Sequence, residues 1–262
     1  MYNFWVQVYS TYKGLFYWLN WTSYLTNMFI APAIFVISYS ILGRFALGPE
    51  AAQFYGLGIT MSHTTFILIS GITQAYTYDR ELGTISFFYV SPANRLVNFL
   101  SRPVLHYPNA LLVFATGFTT LCLLVDIDLS FMNWTSFSLA LLVTAASVAA
   151  FAQFLSVFTI IIRDWINIMS LTTGILLVFT GMMIPVEIFP PAIQELAKLL
   201  PVTNGLSAIR AAFTGAVFSD VSLVILREAL TGLVYLTIGF IGFTLFERVA
   251  KRTGALEKEA FG

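Results

Sequence analysis

Charged residues are scarce in this 262-residue sequence: Asp, Glu, Lys and Arg together make up 10% of it, against about 25% in soluble globular chains. That deficit excludes an ordinary cytosolic enzyme. Thirteen basic residues balance thirteen acidic ones, so the chain has no basic footprint for a nucleic acid, and none is expected as a partner. The single cysteine, Cys122, sits in an apolar stretch, which excludes both a disulfide framework and a cysteine metal cluster. The two histidines, His63 and His106, lie far apart and outside any His-Glu-x-x-His pattern, so no metal is expected. A Gly-rich phosphate loop ending in Lys-Ser or Lys-Thr is missing, so the chain is not expected to bind ATP itself. No clustered nucleophile, base or cofactor motif points to an enzyme.

What is present is apolar surface. The chain is 58% hydrophobic, with 25 Phe, 12 Tyr and 5 Trp and a mean hydropathy of +0.83, which predicts one membrane-embedded unit over residues 1–262. A charge at the bilayer centre costs roughly 2.5 to 3.5 kcal/mol on insertion scales, so long intervals between ionisable residues mark the spans. Six such intervals occur, near 23–43, 54–76, 104–125, 136–160, 166–184 and 229–246. The expected fold is therefore an all-α polytopic membrane protein with six transmembrane helices. No cleavable signal peptide is expected, because about 20 aromatic-rich residues without a basic start precede the first span.

Basic residues near the span ends set the orientation. With the N-terminus cytoplasmic, the inside holds Lys13, Arg80, Arg95, Arg102, Arg163, Arg248, Lys251, Arg252 and Lys258, and the outside holds Arg44, Lys198, Arg210 and Arg227. This imbalance predicts both termini inside a cell inner, or plasma, membrane.

Four segments lie between or beyond the spans. In residues 1–20, Trp5, Tyr9, Tyr12 and Phe16 recur at helical spacing, which predicts an interfacial helix. Residues 79–100 open on a charged turn, Asp79-Arg80-Glu81, then Gly83-Thr84, an apolar run through Phe87, Phe88, Tyr89 and Val90, and a stop at Ser91-Pro92 before Arg95. Such a run on a cytoplasmic loop implies membrane or partner contact. Residues 185–213 carry breaks at Pro185, Phe189-Pro190-Pro191 and Leu200-Pro201 around two short helices, about 191–200 and 203–213, the second capped by Thr203 or Asn204. Both are too short to cross a bilayer yet apolar, so an external re-entrant hairpin is expected, with Glu187, Glu195, Lys198 and Arg210 facing water or one another. Residues 247–262 read as a solvated cytoplasmic tail.

Inside the assigned spans no carboxylate occupies a central position, which argues against a proton-coupled carrier. Glycines at 174 and 181, and at 232, 239 and 242, are expected to let the fifth and sixth spans pack closely. Asn20-Trp21-Thr22 and Asn133-Trp134-Thr135 match the glycosylation pattern by chance.

Two motifs carry a resemblance. Asp79-Arg80-Glu81-x-Gly83-Thr84 followed by Ser91-Pro92 and Arg95 is similar to the cytoplasmic signature of the six-span permease subunits of type-2 ATP-binding-cassette exporters. The exit of the fifth span, Gly181 to Pro185, then Phe189-Pro190, Leu200-Pro201-Val202-Thr203 and Arg210, resembles the same family in the same order. The resemblance implies a translocation path formed by a homodimer, or a heterodimer with a second permease, bound to two copies of a separate ATPase subunit that holds ATP and Mg. It implies that residues 79–100 act as the coupling helix and that Arg163-Asp164 make a second contact with the ATPase. Pro185, Glu187, Phe189, Pro190, Pro201 and Arg210 would then belong to a gate at the exit. The cargo expected is a hydrophobic or amphipathic small molecule, drug or peptide; a lipid-linked polysaccharide is the alternative, and a secondary transporter a more distant one.

Overall fold

The computed structural model describes residues 4, 5, 8, 9, 20–81, 94–125, 127, 129–161 and 165–253. The described residues form a bundle of helices. α1 (Trp21–Leu47) includes a π-helical stretch at Thr26–Ile30 and ends at Gly48, whose φ of 99° turns the chain sharply into the next helix. Glycine meets that left-handed requirement without strain. α2 (Pro49–Glu81) begins on a proline, which suits a first helical position, and runs unbroken for 33 residues. α3 (Arg95–Val125) is capped by Asn94, whose side chain accepts from the Leu96 N–H at 2.9 Å, and tightens to a 3₁₀ turn over Arg102–Leu105, around Pro103. α4 (Trp134–Ile161) is capped in the same way by Asn133, which accepts from the Ser136 N–H. There follow α5 (Trp165–Phe179), α6 (Pro191–Leu199), α7 (Thr203–Phe213) and α8 (Phe218–Thr253).

Among the described residues four helices, not six, are long and apolar enough to cross a membrane: Trp21–Leu47, Arg95–Val125, Trp134–Thr159 and Phe218–Val249. The expected spans near 23–43, 104–125 and 229–246 fall within these, and the one near 136–160 coincides with Trp134–Thr159 to within a residue at its end. The other two expected spans do not hold. The segment near 54–76 lies in α2, which is long but not apolar enough. It is free of charge between Glu50 and Asp79, yet it carries Gly56, Gly58, Thr60, Ser62, His63, Thr64, Thr65, Ser70, Gly71, Thr73 and Gln74. Counting only charges overlooks hydroxyls and missing side chains. The segment near 166–184 is shorter than expected: α5 has 15 residues, about 22 Å of helix, and breaks before Gly181, whose φ is 85°.

α2 occupies the middle, packed against α1, α3, α4 and α5. Its Leu57, Met61, Leu68, Ile69, Ile72 and Tyr76 are buried. Its threonines satisfy themselves within the helix, Thr60 donating to the Gly56 carbonyl at 2.7 Å and Thr73 to that of Ile69 at 2.6 Å, which removes much of the penalty for burying a hydroxyl. α8 lies along α4, and its outward face is apolar, with Leu223, Leu226, Leu230, Leu233, Ile238 and Ile241 exposed. Gly232 and Gly239 sit against Ser147 and Phe154 of α4 so closely that a Cβ would come within 2.8 and 2.9 Å of backbone. That contact matches the expectation for the last span. For α5 the expectation fails at Gly174, whose surroundings are open.

No re-entrant hairpin is found at residues 185–213. The two short helices stand near their expected bounds, but α7 is wedged between α4 and α8, with Leu206, Ala208, Ile209 and Ala212 buried by protein. The apolar positions that suggested immersion in lipid are covered by neighbouring helices instead. α6 points Leu196 and Leu199 outward, beside an exposed Lys198–Glu195 ion pair of 2.6 Å.

Candidate functional site

One end of the bundle frames the segment singled out as a coupling region. Asp79, near the end of α2, forms an ion pair with Arg102 of α3, and the Arg102 guanidinium lies over the Tyr76 ring at 4.1 Å. The Arg102 side chain is nearly buried, where a cation needs both a counter-charge and an aromatic face. Arg95, at the start of α3, pairs with Glu247 of α8 at 2.7 Å. Between these two pairs the Phe99 ring meets Phe240 and Phe243 at 5.6 and 5.8 Å, Tyr76 meets Phe243 at 6.1 Å, and the Gln153 amide of α4 donates to the Phe99 carbonyl. The end of α2 and the start of α3 are thus each held to the bundle by an ion pair. Arg80 and Glu81 occupy the last turn of α2 in backbone; Gly83, Thr84, Ser91, Pro92, Arg163 and Asp164 lie outside the described residues.

The opposite end lies about 37 Å away along α2, from Asp79 back to Phe54 at 1.5 Å per residue. Here Arg210, in the last turn of α7, donates to the Gly181 carbonyl at 2.8 Å and to the Phe54 carbonyl at 3.2 Å, with its guanidinium 3.7 Å from the Phe54 ring centroid. Burial pulls the Arg210 pKa down to about 10, opposed by the nearby Glu187 carboxylate, so it remains a cation at neutral pH. Expected to face water or another of the charged residues, Arg210 is half-buried on backbone carbonyls and the Phe54 ring, within electrostatic reach of the exposed Glu187. Gly58 leaves the space this arrangement needs, since a Cβ there would lie 1.8 Å from the Met182 carbonyl oxygen. Pro185 precedes a 3₁₀ turn over Val186–Ile188, and Pro190 caps α6. The Phe189 ring packs on Phe179 at 5.4 Å, and its carbonyl accepts from Gln194 at 2.8 Å.

Pro201 is buried in the turn between α6 and α7, next to Val202, whose φ of 82° is left-handed. Thr203 and Asn204 do not cap α7 as expected. Their side chains donate backwards, to the carbonyls of Ala197 at 2.6 Å and Lys198 at 2.9 Å, and so close the end of α6. The acceptor for α7 comes from another helix: Glu228 of α8 takes the Val202 N–H on Oε1 at 2.8 Å and the Gly205 N–H on Oε2 at 3.0 Å. A carboxylate satisfies both the free N–H groups and the positive end of the helix dipole.

Glu228, Arg102 and Glu247 are the residues that sequence reasoning missed. A usable signal existed. Val221, Ile225 and Glu228 share one face of α8 at spacings of four and three, as do Phe243 and Glu247, and that face is buried. A glutamate in register with a buried stripe marks an internal partner rather than the end of a span.

Among the described residues no group of His, Cys, Asp or Glu could hold a metal ion. The family described as ABC-2 type transporter matches residues 6–214, which takes in α1 to α7. No curated protein matches the chain. With most of its length matched, and with four helices among the described residues long and apolar enough to cross a membrane, the chain belongs to the ABC-2 type transporter family and is a multi-pass membrane permease subunit of an ATP-binding-cassette transporter, a family of non-catalytic subunits.

Proposed function

We propose that the chain is the permease half of an ATP-driven exporter and that residues 79–100 receive the motion of a separate ATPase subunit. The observation that supports this reading is that the helix ends flanking residues 82–93 are each tied into the bundle by an ion pair, Asp79–Arg102 and Arg95–Glu247. A force delivered between α2 and α3 would reach the bundle through these two ion pairs. Arg163-Asp164, on the connection between α4 and α5, forms the second contact. Two copies of the permease, identical or paired with a second permease, bind two ATPase subunits, which supply ATP and Mg. The N- and C-termini face the cytoplasm of the inner, or plasma, membrane, with residues 1–20 along the interface. In support, Trp5 and Tyr9 are exposed while Val8 is buried.

The cargo proposed is a hydrophobic or amphipathic small molecule, drug or peptide, on the strength of the chain's 16% aromatic content. Co-purification tests the assembly. The chain should retain an ATP-binding-cassette ATPase in mild detergent, and ATP should drive a hydrophobic dye into inside-out vesicles containing both. Purification without any ATPase, or equal dye uptake without ATP, would remove the proposal.

A further inference from the structure

α2 and α8 are continuous helices that span the distance between the two ends of the bundle, and they are tied together at each end. At the Asp79 end the Tyr76 ring of α2 meets the Phe243 ring of α8, and α3 bridges the two helices, its Arg102 pairing with Asp79 of α2 and its Arg95 with Glu247 of α8. At the far end α7 is the crosspiece. Arg210 holds one of its ends to Phe54 of α2, and Glu228 holds the other to α8. Glu228 and Glu247 lie 19 residues apart on the same helix, about 28 Å, and both face the interior.

We infer that Glu228 is a positioning residue for transport: it is the joint through which a displacement of α8, begun at Glu247, moves α7 and the far end of the bundle. This rests on the reading of residues 79–100 as the ATPase contact. Three observations favour a joint over a simple helix cap. The carboxylate is fully buried, and each of its oxygens accepts one N–H of the α7 start, so it follows that backbone without slack. About two turns further along the same face of α8, the Tyr235 hydroxyl donates to the carbonyl of Leu199, the last residue of α6, at 3.2 Å, so α8 also holds the element that leads into α7. And the backbone it grips is held in a costly shape. Val202, a β-branched residue, is left-handed at φ 82°, and Gly205 is pressed on α4 so that a Cβ would lie 1.9 Å from Thr144 Oγ1. A non-glycine residue stays in that region only where its surroundings hold it there.

Glu228→Gln keeps the shape but replaces one acceptor oxygen with an N–H₂ group facing an N–H donor. The test uses the full permease bound to its ATPase in lipid, with Cys122→Ser and spin labels at Ser207→Cys on α7 and Leu47→Cys at the end of α1. The label distance is measured without nucleotide and with a slowly hydrolysed ATP analogue. Wild type should shift between the two states. Glu228→Gln should lose most of that shift and at least tenfold in transport, while ATP hydrolysis stays within about threefold of wild type and Glu228→Asp recovers part of both. A role in folding alone would not separate hydrolysis from movement in this way. If wild type shifts and Glu228→Gln shifts equally, the inference falls and the ATPase reading stands; if wild type itself does not respond, that reading falls and takes the inference with it. Failure of both the Gln and Asp variants to assemble would make Glu228 a folding residue and overturn the proposal.

Discussion

Arg95 and Glu247 form a 2.7 Å ion pair in which the carboxylate is enclosed and the guanidinium is more than half exposed, with side-chain exposures of 3% and 55%. The two partners are therefore not equivalent. Removing the cation strips a counter-charge from a buried carboxylate, whereas removing the carboxylate leaves a cation that water can still solvate.

Arg95→Ala should accordingly destabilise the permease more than Glu247→Gln, by about 1–2 kcal/mol in a site of this kind. Thermal unfolding of both variants and of the double variant, in one detergent, gives the comparison. Equal losses from the two single changes would show that the pair is effectively solvated.

At the coupling turn, Glu81→Ala or Gly83→Val should abolish transport while leaving the protein inserted. One removes a charge from the ATPase contact, and the other places a β-branched side chain where the sequence calls for glycine. Reconstituted transport and ATPase assays on each variant decide the matter, and full transport by both would refute the assignment.

Orientation has its own test. Cysteines introduced at Gly48, Ser130 and Ser219 should react with an impermeant reagent on intact cells, and those at Thr84, Asn94 and Thr253 should not. The excess of basic residues near one set of helix ends motivates this pattern. The reverse pattern would invert the protein and place residues 79–100 on the wrong side for an ATPase.

Close packing predicts a contrast between two glycines. Gly58→Ala puts a Cβ 1.8 Å from the Met182 carbonyl oxygen, whereas Gly174→Ala meets nothing within 4 Å. The first should cost at least about 1–3 kcal/mol, the usual range for overpacking. The second should change stability by less than about 0.5 kcal/mol, as at ordinary surface positions. Unfolding midpoints of the two variants measure the difference, and similar values would mean that the Gly58 contact relaxes freely.

Helix formation was legible in the sequence wherever one physical signal acted alone. Pro191 opens α6, as its place after the Phe189-Pro190 break leads one to expect, whereas Asn94 and Asn133, which cap α3 and α4, were not singled out as caps. Charge spacing located the apolar cores of α1, α3, α4 and α8. It failed at α2, where Thr60, Thr64, Thr73 and Thr77 carry no charge but lower the hydropathy, and satisfy their hydroxyls against carbonyls of their own helix. It failed again at Glu228 and Glu247, read as borders of the last span although both lie on the buried face of one long helix. The burial of α7 could not be read locally, because an apolar stripe looks the same whether lipid or protein covers it. The site shows the same division. Arg210 stood out in the sequence, but its acceptors, the carbonyls of Gly181 and Phe54, are backbone groups that carry no sequence signature.

Coupling through residues 79–100 is tested most directly by cross-linking from inside that segment. With Cys122→Ser and Thr84→Cys in the permease, a short bifunctional reagent should join this chain to its ATPase subunit, and the joined complex should lose ATP-dependent transport that returns when the link is cleaved. Absence of the cross-link in a complex that still transports, with Thr84→Cys accessible to a soluble thiol reagent throughout the ATP cycle, would contradict the account.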